Sequence, residues 1–402
     1  MLNIEPSFNG KYALLHTGFR PFFLLAMLSA IVLGVIWMGL YSFGWMPLRS
    51  DYPPVSWHAH EMLFGYTVAV VSGFLLTAVR NWTGLPTVAG LPLLVLALIW
   101  LFGRILPFIP VIPLWYLALH EALFLCLLLY VTAAPIVARR QWGQVAILGK
   151  LALLIPASLL FYLGLMGVWQ PGVKLGLYLA FYLVIGLILT MGRRVIPSFI
   201  ENTVRDGFKA FNNVWLDRLS LFLFLLFAGA DIYSQAFGSP FATLLAAMLA
   251  LALFPLHVAR LSGWYHRGLW QHPLLWSLYV AYGWTTFALL LKFMSVALGV
   301  NLWVAVHAFA YGGIGLVTLG MMARVALGHT GRNVFVPPAV VGMAAALLVG
   351  GAFIRVILVW LLPGWYAMWI LAAQLVWLAA FGLLLAYYLP ILVQARVDGR
   401  YG

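Results

Sequence analysis

Five residues in one short stretch, Trp57-His58-Ala59-His60-Glu61, combine two imidazoles and a carboxylate inside an otherwise apolar part of the chain. A second pair, His120-Glu121, and a single His307 sit in apolar surroundings of the same kind. Imidazole suits haem iron and copper. A ligating histidine usually passes its second N–H to a carboxylate or carbonyl, which is a role for an adjoining glutamate. Ionisable groups are expensive at membrane depth, so their presence there points to function. The chemistry indicated is a haem or copper site held between helices.

The elements that must position these residues follow from composition. The 402 residues are 65% hydrophobic and 8% charged, against about 25% charged in a soluble domain. Apolar runs of about 20 residues match the bilayer thickness, and strand-like alternation is missing, which excludes a barrel. The chain therefore reads as a single polytopic all-α membrane protein, residues 1–402. Its twelve transmembrane helices are predicted at about 19–45, 57–79, 89–109, 113–137, 146–169, 174–193, 213–237, 239–261, 272–298, 301–323, 335–360 and 364–392. Pro and Gly breaks such as Pro53-Pro54, Pro171-Gly172 and Pro337-Pro338 separate them. The longest connection, from Gly192 to Asn213, carries Arg193, Arg194, Arg205 and Lys209 and suggests a short surface helix.

The net charge of +13 does not indicate nucleic acid, because the basic residues lie between apolar runs as topology signals do. Of the Lys and Arg residues, 17 fall on the side of the termini and five, Arg49, Arg104, Lys174, Lys292 and Arg355, on the other. That asymmetry places both termini in the cytoplasm. Met1–Thr17 has no apolar run, so the first segment reads as a permanent helix rather than a cleaved leader. The single cysteine, Cys126, rules out an intrachain disulfide or a thiolate cluster.

The same topology sorts the histidines. His58, His60, His120 and His307 lie within about seven residues of the outer ends of segments 2, 4 and 10; His16, His257, His266, His272 and His329 lie at the inner face, as interfacial residues do. Segments 2 and 10 share Gly65/Gly312, Val70/Val317, Gly73/Gly320, Thr83/Thr330 and Gly84/Gly331 when His60 is aligned with His307. Segment 6 has a fainter echo, which suggests three four-helix units around a pseudo-threefold axis. His58 and His60 are two apart, about 200° around a helix, so one helix cannot aim both at one metal unless His58 lies in a non-helical entry. His60 and His307 are thus the candidate axial pair for a haem, and His58 and Glu61 the candidate ligands of a second metal with His120. The plain alternatives are a wet helix end for His58 and His60, a carbonyl bond across helices for His120, and close packing for the glycines. Asp231, Lys292 and Arg355 are expected to snorkel to the outer interface.

The stretches Gly18-Phe19-Arg20-Pro21-Phe22-Phe23, His58-Ala59-His60-Glu61-Met62-Leu63-Phe64-Gly65, Gly73 to Gly84, and Gly320-Met321-Met322-Ala323-Arg324 with Gly328-His329-Thr330-Gly331-Arg332 resemble the NnrS family over essentially the whole chain. The resemblance implies a twelve-helix bacterial inner-membrane protein associated with haem and copper and with the nitric oxide response. In some relatives a helix 9 histidine is expected where this chain has Tyr279. The architecture is also similar to subunit I of haem–copper oxidases. Segments 6 and 7 lack histidine, however, which excludes a complete oxidase dinuclear centre. Three readings remain open. One is a haem- and copper-binding protein acting on nitric oxide or derived small species in the outer half of the membrane. The second is a multi-pass transporter for a small ligand or metal complex. The third is a b-type electron-transfer subunit serving an electron-donor protein. No catalytic residue is assigned.

Overall fold

The computed structural model describes residues 12–402 apart from Pro47 and Arg205. Arg205 and most of the Met1–Thr17 stretch therefore lie outside the described residues. Every element among the described residues is helical. Twelve helices are long and apolar enough to cross a bilayer: α1 Phe19–Phe43, α2 Pro54–Thr83, α3 Gly90–Phe108, α4 Leu114–Ala138, α5 Trp142–Leu165, α6 Gly172–Val204, α7 Val214–Phe237, α8 Pro240–Trp264, α9 Pro273–Ala297, α10 Leu302–His329, α11 Ala339–Leu361 and α12 Pro363–Val393. The protein is a multi-pass membrane protein, and each of these helices overlays one of the predicted spans.

Two of the boundary differences from the sequence reading bear on the candidate residues and connections. Helix α6 continues through Arg193 and Arg194 to Val204, and among the described residues of the connection there is no separate surface helix. Hydropathy marks only the apolar part of a helix, and a polar continuation escapes it. Helix α2 begins at Pro54, whose missing N–H is harmless in a first turn. His58 therefore sits inside the helix and not in an irregular entry.

The described residues form two compact units. The first comprises residues 12–184, 322–333 and 381–402. In it α1 packs on α2, α2 on α4, and α3 and α5 each on α4. Its motif residues meet at one end of the helices. The Phe19 N–H donates to Thr77 Oγ1 at 3.2 Å. Arg20 is fully buried, and its guanidinium donates to the carbonyls of Leu392 and Gln394, both at 2.7 Å. Leu392 lies in the last turn of α12 and Gln394 just past its end, where helix carbonyls lack intrahelical partners, and a cation near a helix C-terminus also complements its dipole. Gly73 has no side chain because a Cβ there would lie 2.7 Å from the Phe23 ring.

The second unit comprises residues 185–321 and 334–380. Helices α7, α8 and α9 pack in sequence, and α9 and α11 both pack on the middle of α10. Asp231 of α7 and Lys292 of α9 do not snorkel. They form an ion pair of 2.6 Å with side chains 1% and 5% exposed. Burial of either charge alone is prohibitive, and a partner at contact distance removes the need to reach the interface.

Candidate functional site

Helices α2 and α10 share a local irregularity. The turns Glu61–Thr67 and Ala308–Gly315 are π-helical. His60 and His307 are the residues directly before them. The two π segments thus start in the same register as the glycine correspondence between these helices. A π turn is rare and frequently marks a functional position, because the extra residue re-aims the side chains at its start.

His60 is completely buried. Its Nδ1 lies 3.2 Å from Glu61 Oε1 and its Nε2 3.1 Å from Glu121 Oε1. Arg104 of α3 closes the figure, donating from Nη1 to Glu61 Oε2 at 2.9 Å and from Nη2 to Glu121 Oε2 at 2.8 Å. Ser158 of α5 donates to Glu121 Oε1 at 2.7 Å. The imidazole is stacked between Phe64 and Phe161, with ring centroids 4.9 and 4.6 Å away. Gly65 leaves room for this ring of charges: a Cβ there would lie 2.9 Å from Glu61 Oε2 and 3.1 Å from Arg104 Nη1.

An ionised carboxylate only accepts. A histidine facing a carboxylate oxygen from each nitrogen must therefore donate from both, unless one carboxyl carries the proton itself. Either arrangement balances the charge. Imidazolium and guanidinium offset two carboxylates, or guanidinium alone offsets the one that stays ionised. The cluster is a closed, neutral, proton-holding ring built from α2, α3, α4 and α5.

The other expected ligands go elsewhere. His58 stacks on Trp37 of α1, with centroids 4.1 Å apart and planes 9° apart. His120 donates from Nε2 to the Ile99 carbonyl at 2.7 Å, the carbonyl bond across helices weighed above. Glu61 is committed to His60 and Arg104. Among the described residues, no three His, Cys, Asp or Glu side chains group so as to hold one metal ion. In the ring this follows from geometry, since Glu61 and Glu121 address opposite edges of the same imidazole.

His307 is arranged differently. Nδ1 donates to the Trp303 carbonyl at 2.8 Å. Nε2 lies 3.0 Å from Arg355 Nη2, and because a guanidinium only donates, Nε2 bears the lone pair. An imidazole held through Nδ1–H by a backbone carbonyl, with a basic Nε2, is the form in which histidine binds metals. Arg355, expected to snorkel, instead makes this hydrogen bond. The donor set at His307 thus fits an axial ligand. His60 fits less directly, because freeing its Nε2 would break its contact with Glu121 inside a completely buried ring of charges.

Sequence reasoning missed Arg104 as a site residue. It stood only as one of five basic residues on the less basic side. The available signal was its position inside an apolar run, 8% exposed in the fold, with two glutamates on neighbouring segments needing a cation.

Comparison with known proteins adds one match. A family model described as NnrS protein aligns with residues 13–396. No curated protein matches the chain.

Proposed function

The chain belongs to the NnrS family, and on that premise we propose that it is a haem- and copper-associated inner-membrane protein acting in the bacterial response to nitric oxide. The observation that carries the haem half is His307. Its Nδ1–H is held by the Trp303 carbonyl, its Nε2 carries a lone pair that Arg355 now occupies and would have to release, and it stands directly before a π turn. His307 would hold the iron, and Arg355 beside it would pair an anionic substituent of the macrocycle. Haem bound there would supply an iron centre for diatomic ligands such as nitric oxide. The chain's own contribution is to orient the imidazole and keep its second nitrogen basic.

His60 is the second candidate axial residue, and ligation there requires Glu121 to release Nε2. For copper, His58, His120 and Glu61 do not fit as one donor set, so that half of the reading rests on the family resemblance. Cytoplasmic termini and an electron-donor protein belong to the same proposal, on the basic-residue asymmetry and on the redox character of haem.

The test is haem and copper content of the purified full-length protein, by pyridine haemochrome and elemental analysis, with nitric oxide tolerance measured in cells. His307→Ala is expected to lose haem while remaining in the membrane. Equal loss in His60→Ala would make it the second ligand, whereas full haem in that variant would leave it as a member of the charge ring alone. Full haem in His307→Ala with loss in His257→Ala would overturn the site. A metal-free variant that still protects cells would support the transporter reading instead.

A further inference from the structure

The surroundings of His60 and His307 are built alike. Arg104 stands on the helix that follows the one carrying His60, and Arg355 on the helix that follows the one carrying His307. Among the described residues three turns are π-helical: Glu61–Thr67, Ala308–Gly315 and Ile354–Leu358. The first two begin directly after the histidines, and the third contains Arg355. Such turns are rare and frequently lie at functional positions. Their coincidence with both histidines and with Arg355 marks that arginine as more than a topology signal.

The two places differ in what lies between imidazole and guanidinium. At His60 a carboxylate does: Glu61 accepts from Arg104 Nη1 at 2.9 Å and faces His60 Nδ1 at 3.2 Å. At His307 the next residue is Ala308, and Arg355 Nη2 donates straight to His307 Nε2 at 3.0 Å. The Leu302–His307 stretch packs on the Ile354–Leu358 turn, so the helices themselves set this contact. A guanidinium bonds a carboxylate better than a neutral nitrogen, because both ends are then charged and the fork engages two oxygens. The bond to His307 is thus the weaker of two that Arg355 can make. A ligand carrying a carboxylate would restore at His307 the order found at His60. Both side chains are half-buried, and Arg355 lies near the end of α11 at Leu361. Its long side chain can therefore follow a carboxylate toward the interface at little cost.

We propose that Arg355 is the specificity-determining residue of the His307 site. It occupies the Nε2 lone pair until a metal macrocycle that brings its own carboxylate draws it off, and so holds the site against metal complexes without one. The inference rests on His307 as the iron ligand, and it gives Arg355 a guarding role that charge pairing alone does not include.

The experiment titrates the purified full-length protein, produced without added haem, with haemin and with haemin dimethyl ester, whose carboxylates are masked. Binding is read from the absorbance of the macrocycle. The unmodified protein is expected to bind haemin roughly 10- to 100-fold more tightly than the ester, the weight of one hydrogen bond between charged groups. Arg355→Leu should remove most of that preference through opposite changes: haemin binds more weakly, and the ester more tightly, than to the unmodified protein. The rise for the ester decides, because neither lost pairing nor a general loosening of the helices produces it. Arg355→Gln, neutral but polar, supplies the same reading should Arg355→Leu fail to fold. An ester affinity unchanged or lowered in these variants overturns the proposal, and so does an unmodified protein with no preference for haemin. His307→Ala separates this from the reading beneath it. If that variant binds haemin as the unmodified protein does, the iron ligand lies elsewhere and both fall. If it loses haemin while the Arg355 variants show no rise for the ester, only the guarding role falls.

Discussion

Replacing Arg104 by methionine tests the charge ring directly. The substitution keeps an unbranched side chain of similar length but removes the cation that donates to Glu61 at 2.9 Å and to Glu121 at 2.8 Å. Glu61 and Glu121 are 1% and 4% exposed, so water cannot replace the lost donors, and the ring is left one negative charge in excess if the protons stay in place. Removing one partner of a buried ion pair typically costs about 3–5 kcal/mol. Glu121→Gln in the same background restores neutrality, because imidazolium then offsets Glu61 alone. The double variant should therefore be more stable than the sum of the two single effects by about 0.5–3 kcal/mol, the range for residues in one network. Midpoints of unfolding in graded sodium dodecyl sulfate, read in mixed micelles for all four proteins, supply the cycle. Additive effects, or an Arg104→Met protein within about 0.5 kcal/mol of the unmodified one as at an ordinary surface position, would refute the closed ring.

Gly65→Ala should destabilise by about 1–3 kcal/mol, since its Cβ would meet two atoms of the same ring at 2.9 and 3.1 Å; the detergent titration checks it. Lys292→Met should cost about 3–5 kcal/mol by removing the cation that neutralises the buried Asp231 carboxylate, and the double change Lys292→Met with Asp231→Leu should recover most of that loss, measured in the same way. On the proposed topology, with both ends of the chain in the cytoplasm on the basic-residue asymmetry, a C-terminal reporter should be active on that side; a reporter active only in the periplasm would contradict it.

Much of the helical architecture is legible in the sequence because a bilayer imposes a simple length rule. Twelve apolar runs give twelve helices, and only polar continuations such as residues 194–204 of α6 escape notice. The kinship of α2 and α10 is legible too. Five matched positions around His60 and His307 correspond in the fold to two π turns that begin one residue later. No propensity argument foresees the π turns themselves, because an inserted residue changes hydrogen bonding and leaves composition unaltered. The divergence of His58 and His60, one to the Trp37 ring and the other into the charge ring, follows from their separation of about 200° around the helix.

The site was less legible than the spans, and the reason is common to each misreading. Snorkelling and topology arguments treat a charged residue by its depth and take no account of a partner on another helix. Arg104 was counted as a topology marker and Lys292 was expected at the interface, yet each has a carboxylate within hydrogen-bonding distance. The physical ordering of terms predicts this outcome. A long side chain can reach the interface at little cost only if it is near the surface of the bundle, whereas one facing inward must be neutralised where it stands. Glutamates and aspartates are the scarce species in this chain, nine against 22 basic residues. An acidic residue inside a span is therefore the better starting point, because it has no positive-inside role to explain it. Glu61, Glu121 and Asp231, taken in that way, each demand a cation at membrane depth, and Arg104 and Lys292 are the residues that answer.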